Sequence, residues 1–272
     1  MSSLRGLSPR RRIFTVGLAL LLAAAVAAVV AGLAFRSSAS DSPARSSAGT
    51  YPPQDRLGPV LLVPGYGGNT GSLSALASRI RATGRRATVV HLPANGTGSL
   101  VKDAAVLGAA ANRALRHGAP SVDVIGYSAG GVAALIWARD YGGVHVARRI
   151  VTLGSPFHGA QIAGAAVALV PGACPTACQQ LAPGSTILKG LDATPLPARP
   201  PWLSLWSTTD STVTPPDSAR LAGAVNVPIQ SVCPGQQISH SQLPTSPVVS
   251  AMVLKAIGTG PLTRPRRTLC RG

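Results

Sequence analysis

The sequence contains no glutamate; all eight of its acidic residues are aspartate. Any chemistry that needs a carboxylate must therefore draw it from a short list of positions. Aromatic residues are scarce, ten in 272. No basic run is interleaved with them, and neither zinc-ligand spacing nor a helix-turn-helix signal is present, so nucleic acid is not an expected partner. Cysteine occurs four times, and the close pair in "CPTAC" has no histidine or further cysteine at a ligand spacing, so no metal is expected. No internal repeat is found. Charged residues make up only 12% against 46% hydrophobic ones, which excludes global disorder and provides for a sizeable core.

What the sequence has in excess is positive charge, +17 formally. Such a charge suits an anionic surface, although an arginine-rich composition also accounts for it. Five of the arginines (Arg5, Arg10, Arg11, Arg12 and Arg36) lie in the first 40 residues, which hold no acid. The cluster at 10–12 is followed by "IFTVGLALLLAAAVAAVVAGLAF", 23 residues without a charge. That length can cross a bilayer, and the positive-inside rule sends the rest of the chain outward. Residues 1–35 are therefore expected to be a signal or anchor segment, a membrane contact if uncleaved, with "SAS" at 38–40 as a small-residue cleavage site. "RRIF" is similar to a twin-arginine export signal, but the residues after the phenylalanine do not fit one. Export agrees with an even number of cysteines, for which Cys174–Cys178 and Cys233–Cys270 are the pairings favoured by proximity in sequence.

Residues 36–57 are rich in Ser, Ala and Pro and read as a flexible linker. From 58 to 272 the pattern changes to alternation. Short apolar runs at 60–63, 88–92, 121–125, 149–153, 202–206 and 225–232 read as strands. Helical stretches lie at about 72–83, 100–117, 129–141 and 247–257. Strands alternating with helices predict an α/β fold with a mostly parallel sheet of about six strands and helices on both faces. Residues 155–200 break the rhythm, and either an ordinary crossover or a partial cap over a ligand site fits them.

Ser128 sits in "VDVIGYSAGGVAALIWARD", where Gly126-Tyr127-Ser128-Ala129-Gly130 fits G-x-S-x-G between a strand and a helix. In that setting the pattern means a nucleophile elbow: the turn strains the serine, and the glycines remove side chains that would collide. A serine hydroxyl needs a base and an orienting carboxylate, and in such folds the acid precedes the histidine. Asp210 follows the strand "WLSLW" by four residues, with Asp217 as the fallback; Asp140 falls within a helix and Asp192 within the insertion. His240 follows the last strand by a loop and is the expected base. His158 lies at the correct sheet end but precedes Asp210, while His145 precedes a strand and so lies at the wrong end. His91 and His117 read as structural or solvated.

An oxyanion hole completes the requirement, with the Ala129 amide as one donor and the turn "VPGYGGN" supplying the other. That turn lacks the Lys-Ser/Thr pair of a P-loop and the G-x-G-x-x-G spacing, so phosphate binding is the poorer reading. Taken in order, "VLLVPGYGGN", "VDVIGYSAGG", "IVTLGSPFHGA", "WLSLWSTTDSTVTP" and "ISHSQL" resemble the α/β-hydrolase serine esterases, most closely the small bacterial lipases of the class 2 type. The resemblance spans residues 58 to about 257. It implies Tyr66 as the second oxyanion donor and a sheet of about six parallel strands, with no metal or organic cofactor. Pro64 stands where those lipases usually carry histidine, so the turn is supported differently here.

The expected function is thus an exported, monomeric serine hydrolase acting on a small-molecule or lipid ester, with Ser128, Asp210 and His240 catalytic and Tyr66 and Ala129 holding the oxyanion. Transacylation or peptide cleavage on the same residues is one alternative. A membrane-tethered binding protein on an inactive hydrolase fold is the other.

Overall fold

A computed structural model describes residues 51–68 and 70–271. The expected signal or anchor segment and most of the linker lie outside the described residues. No helix among the described residues is long and apolar enough to cross a membrane.

Six strands form one sheet: β1 (Val60–Val63), β2 (Ala87–Val89), β3 (Val122–Tyr127), β4 (Ala147–Leu153), β5 (Trp202–Trp206) and β6 (Val225–Pro228). Their order is β2-β1-β3-β4-β5-β6, and every pair is parallel. This is the predicted α/β-hydrolase sheet. Successive side chains of each strand point to opposite faces, so the near-continuous apolar runs serve two cores at once. Leu61, Val63 and Val124 pack with α2 (Leu100–Arg116) and α3 (Ala129–Asp140) on one face. Val60, Leu62 and Ile125 pack with α1 (Gly71–Arg81) and the C-terminal helix Pro247–Ala256 on the other. The last strand is shorter than the expected 225–232: Pro228 has no N–H to extend the ladder, and a 3-10 turn, Ile229–Ser231, comes after it.

Residues 155–200 are not one crossover helix. They form α4 (Gln161–Leu169), α5 (Thr176–Gln180) and α6 (Thr186–Asp192). The disulfide Cys174–Cys178 closes the chain just before and within α5, and Cys233–Cys270 ties the C-terminal tail down, both as expected from the spacing. Hydrogen bonds join this segment to the loop before α2 and to the first residue of α2: Ala177 N donates to Thr97 O at 3.2 Å, Gln180 Nε2 donates to Ser99 Oγ at 3.5 Å, and Leu100 N donates to Gln180 Oε1 at 2.8 Å.

The opposite end of the sheet carries a buried ionic cluster. Asp123 accepts from Arg148 at 2.5 Å and from Arg85 at 2.8 Å. Arg148 and Arg149 also donate to Ile257 O, Gly258 O and Ala256 O, the carbonyls left unpaired at the end of the C-terminal helix, here α7. Gln54 is drawn into the same cluster, its amide donating to Arg148 O at 3.0 Å and its Oε1 accepting from Arg149 Nε at 3.1 Å.

Asp103 is the odd member of the α2 core face. It shares that face with Leu100, Ala104, Leu107 and Ala111, is 1% exposed, and has a buried Oδ1 without a hydrogen-bond partner among the described residues. Burial pushes its carboxyl up to about 6. The native state therefore holds this proton more tightly than the unfolded chain does. Stability from the site is fullest below the ordinary carboxyl pKa and is lost as pH rises through about 6. Asp103→Asn should add up to about 3 kcal/mol above pH 7 and flatten the pH dependence between about pH 4 and 6. Urea unfolding across that range checks this.

Candidate active site

β3 ends at Tyr127 and α3 begins at Ala129, leaving one residue for the reversal. Ser128 makes it with φ 52° and ψ −127°, a conformation that L-residues with a side chain rarely adopt. Its amide donates to Leu153 O on β4 at 2.9 Å, and its carbonyl accepts from Gly131 N at 2.9 Å, which pins the turn from both sides. The neighbouring glycines are sterically required. A Cβ on Gly126 would lie 2.5 Å from Gly131 Cα, and one on Gly130 would lie 2.3 Å from Val63 O. The serine is thereby fixed above the C-terminal edge of the sheet, at the start of a helix whose dipole favours developing negative charge.

The structure brings His240 and Asp210 to this serine. His240 Nε2 lies 2.9 Å from Ser128 Oγ, and His240 Nδ1 lies 2.6 Å from Asp210 Oδ2. The second oxygen of Asp210 accepts from the amides of Thr212 at 2.8 Å and Val213 at 2.9 Å, so the loop after β5 locks the carboxylate. His240 opens a 3-10 turn, His240–Gln242, closed by a capping box in which Ser239 N donates to Gln242 Oε1 at 2.9 Å. Gly154, with φ 57°, leaves room for the ring: a Cβ there would sit 3.2 Å from His240 Nδ1.

Sequence reasoning gave Tyr127 no role, yet its ring lies 5.1 Å from the His240 ring and its hydroxyl donates to His240 O at 3.2 Å. Burial, with the Asp210 carboxylate adding to it, pushes this phenol up to about 12, so it remains a donor. An aromatic residue before the serine carries no pattern that separates such a contact from ordinary core packing.

The other candidates stay apart. Asp217 is exposed in the 3-10 turn Pro216–Ala219. His158 is half exposed, paired with Asp192 at 3.1 Å and with Arg220 O at 3.0 Å. His145 stacks on Tyr51 with ring centres 5.9 Å apart, and Asp140 ends α3 on the surface.

The turn after β1 sits against the serine. A Cβ on Gly65 would lie 2.8 Å from Ser128 Cβ, and Gly68 N closes the turn on Gly65 O at 3.1 Å. Tyr66 and Ser128 share a cavity of about 320 Å³. Its remaining wall comes mainly from the 155–200 segment (Ala160, Ile162, Ala163, Ala166 and Cys178 among others), together with Thr212 and Val213 from the Asp210 loop. Among the described residues no charged side chain lines it.

A sequence model of a family described as alpha/beta hydrolases of unknown function (DUF915) matches residues 89–258, more than half of the chain. The chain belongs to this family. The matched stretch of this α/β-hydrolase includes Ser128, Asp210 and His240 but begins after the turn that carries Tyr66. Among solved structures, it is similar to Aspergillus fumigatus lipase B, with a TM-score of 0.64 and 19% identity over 79% of this chain and 56% of that one. Bacillus licheniformis lipase BlEst2 in its propeptide form gives 0.63 and 18% over 78% and 53%, and in its mature form 0.60 and 17% over 76% and 94%. The chain thus spans about half the length of the first two, and likeness at this identity is a likeness of fold. No curated protein matches the sequence.

The packing around the turn yields a stability prediction. Gly126→Ala should destabilise this α/β-hydrolase by about 3 kcal/mol, because its methyl meets backbone atoms that cannot move independently. Denaturant unfolding reads the loss. A variant within about 0.5 kcal/mol of wild type would contradict the packing.

Proposed function

We propose that the protein is a serine hydrolase that cleaves carboxylic esters through an acyl-enzyme. The observation that carries this reading is the continuous hydrogen-bonded line from Ser128 Oγ through the His240 ring to Asp210, ending on a serine held in a strained turn.

In this reading His240 Nε2 accepts the Ser128 proton as Oγ attacks the ester carbonyl. Asp210, fixed by two backbone amides, stabilises the imidazolium and keeps Nδ1 protonated. The amides of Ala129 and Tyr66 hold the tetrahedral oxyanion. His240 then returns its proton to the leaving alcohol, and a water deprotonated by His240 attacks the acyl-serine to release the acid. The cavity beside Ser128, lined by no charged side chain among the described residues, suits an apolar acyl group. Export into an oxidising compartment is part of the proposal, and the two disulfides support it.

Ser128→Ala should abolish both hydrolysis of p-nitrophenyl butyrate and labelling by a fluorophosphonate probe, with the melting temperature nearly unchanged. Asp210→Asn should keep the fold and lower kcat by roughly 10⁴-fold, through loss of the favoured histidine tautomer. A Ser128→Ala protein that still turns over the ester would sink the assignment.

A further inference from the structure

Only three non-glycine residues among those described have positive φ: Ala94 at 47°, Asn95 at 51° and Ser128 at 52°. Ser128 and Asn95 both press on the same glycine turn, one at Gly65 and the other at Gly68. A Cβ on Gly65 would meet Ser128 Cβ at 2.8 Å, and one on Gly68 would meet Asn95 Cα at 2.8 Å and Asn95 O at 2.9 Å. Gly96 adds a third contact, since a Cβ there would lie 3.0 Å from Gly65 O. Between these contacts lies Tyr66.

Two adjacent residues with side chains in the left-handed region persist only where their surroundings over-determine them. Here they do. Ala94 O accepts from Thr97 N at 3.0 Å and from Thr97 Oγ1 at 2.7 Å. Thr97 O in turn accepts from Ala177 N, and the amide of Leu100 is held by Gln180, so α5 anchors the far end of the loop. The Asn95 side chain is exposed and has no hydrogen-bond partner among the described residues. What position 95 contributes is therefore the shape of its backbone, and asparagine is among the few non-glycine residues that adopt that shape readily.

We propose that Ala94-Asn95 is the positioning element that fixes the Tyr66 amide opposite Ser128, a role that rests on reading Ser128 as nucleophile and Tyr66 as oxyanion donor. Neither residue lines the cavity beside Ser128. They act by holding the turn against the serine, so their effect belongs to the transition state, where the donor must meet the developing oxyanion.

The test uses the full chain with three variants: Asn95→Gly, Asn95→Val and Gly68→Ala. Asn95→Val disfavours the left-handed backbone, and Gly68→Ala both strains the turn at its own φ of 62° and drives a methyl into Asn95, whereas Asn95→Gly keeps the shape and discards the side chain. On p-nitrophenyl butyrate, Asn95→Val and Gly68→Ala should each lose about tenfold in kcat with KM within about twofold. An alkylboronic acid, whose tetrahedral adduct places an oxygen in the same hole, should bind those two weaker by a similar factor. Asn95→Gly should behave as wild type in both assays. If Asn95→Val fails to fold, Asn95→Ala, which also lacks asparagine's readiness for the left-handed region, takes its place against Asn95→Gly. Wild-type kcat in a folded Asn95→Val overturns the proposal whatever Gly68→Ala does, as does an equal loss in Asn95→Gly. Fluorophosphonate labelling of the wild type reads the parent assignment separately. No labelling at Ser128 sinks both readings, while labelling with unaffected variants sinks this one alone.

Discussion

The local architecture arises from one steric constraint, that a single residue must reverse the chain between β3 and α3. With only Ser128 available for the reversal, α3 starts directly beneath the sheet edge and its first turn runs against β1 and β4. Gly130 and Gly131 are what that approach demands: side chains there would overlap Val63 O and Ser155 Oγ. The strain at Ser128 is thus not a local peculiarity. It is the geometric result of a short connection, and the hydrogen bonds to Leu153 and Gly131 balance it.

Parallel strands then place the remaining groups. Each strand delivers its C-terminal loop to the same edge, so segments far apart in sequence converge there: the turn after β1, the elbow after β3, Gly154 after β4 and Asp210 after β5. The loop that carries His240 comes from beyond β6, 112 residues from Ser128 and 30 from Asp210. Neither partner reaches the serine through local structure, and both depend on the sheet being in register.

Much of this was legible in the sequence because it is periodic or locally encoded. Apolar runs separated by helical stretches give six parallel strands, and G-x-S-x-G between a strand and a helix marks the strained serine. The order of aspartate and histidine after it pointed to Asp210, with Asp217 in reserve, and to His240, and the structure sets Asp210, not Asp217, against the ring. Other features left no local trace. The consecutive left-handed residues Ala94 and Asn95 are held by contacts with Gly65, Gly68 and α5, which a local pattern does not encode. The helices of the 155–200 segment were blurred by alanine and glycine, which favour neither a face nor a strand. The cavity they wall beside Ser128 exists only once they are folded against the sheet.

Arg148 and Arg149 run against the usual reading of charge. Both stand within β4, 0% and 1% exposed, and with Arg85 they outnumber the lone carboxylate of Asp123. Most of their donors go to Asp123, to carbonyls at the end of α7 and to Gln54, while Arg148 Nε is buried without a partner among the described residues. They still contribute to the field of the molecule at a distance, but no sulfate, phosphate or polyanion can touch them or displace counterions from them. The number of contacts that a polyanion could make with this domain is therefore smaller than its arginine count, and the salt sensitivity of any such association would be correspondingly shallower.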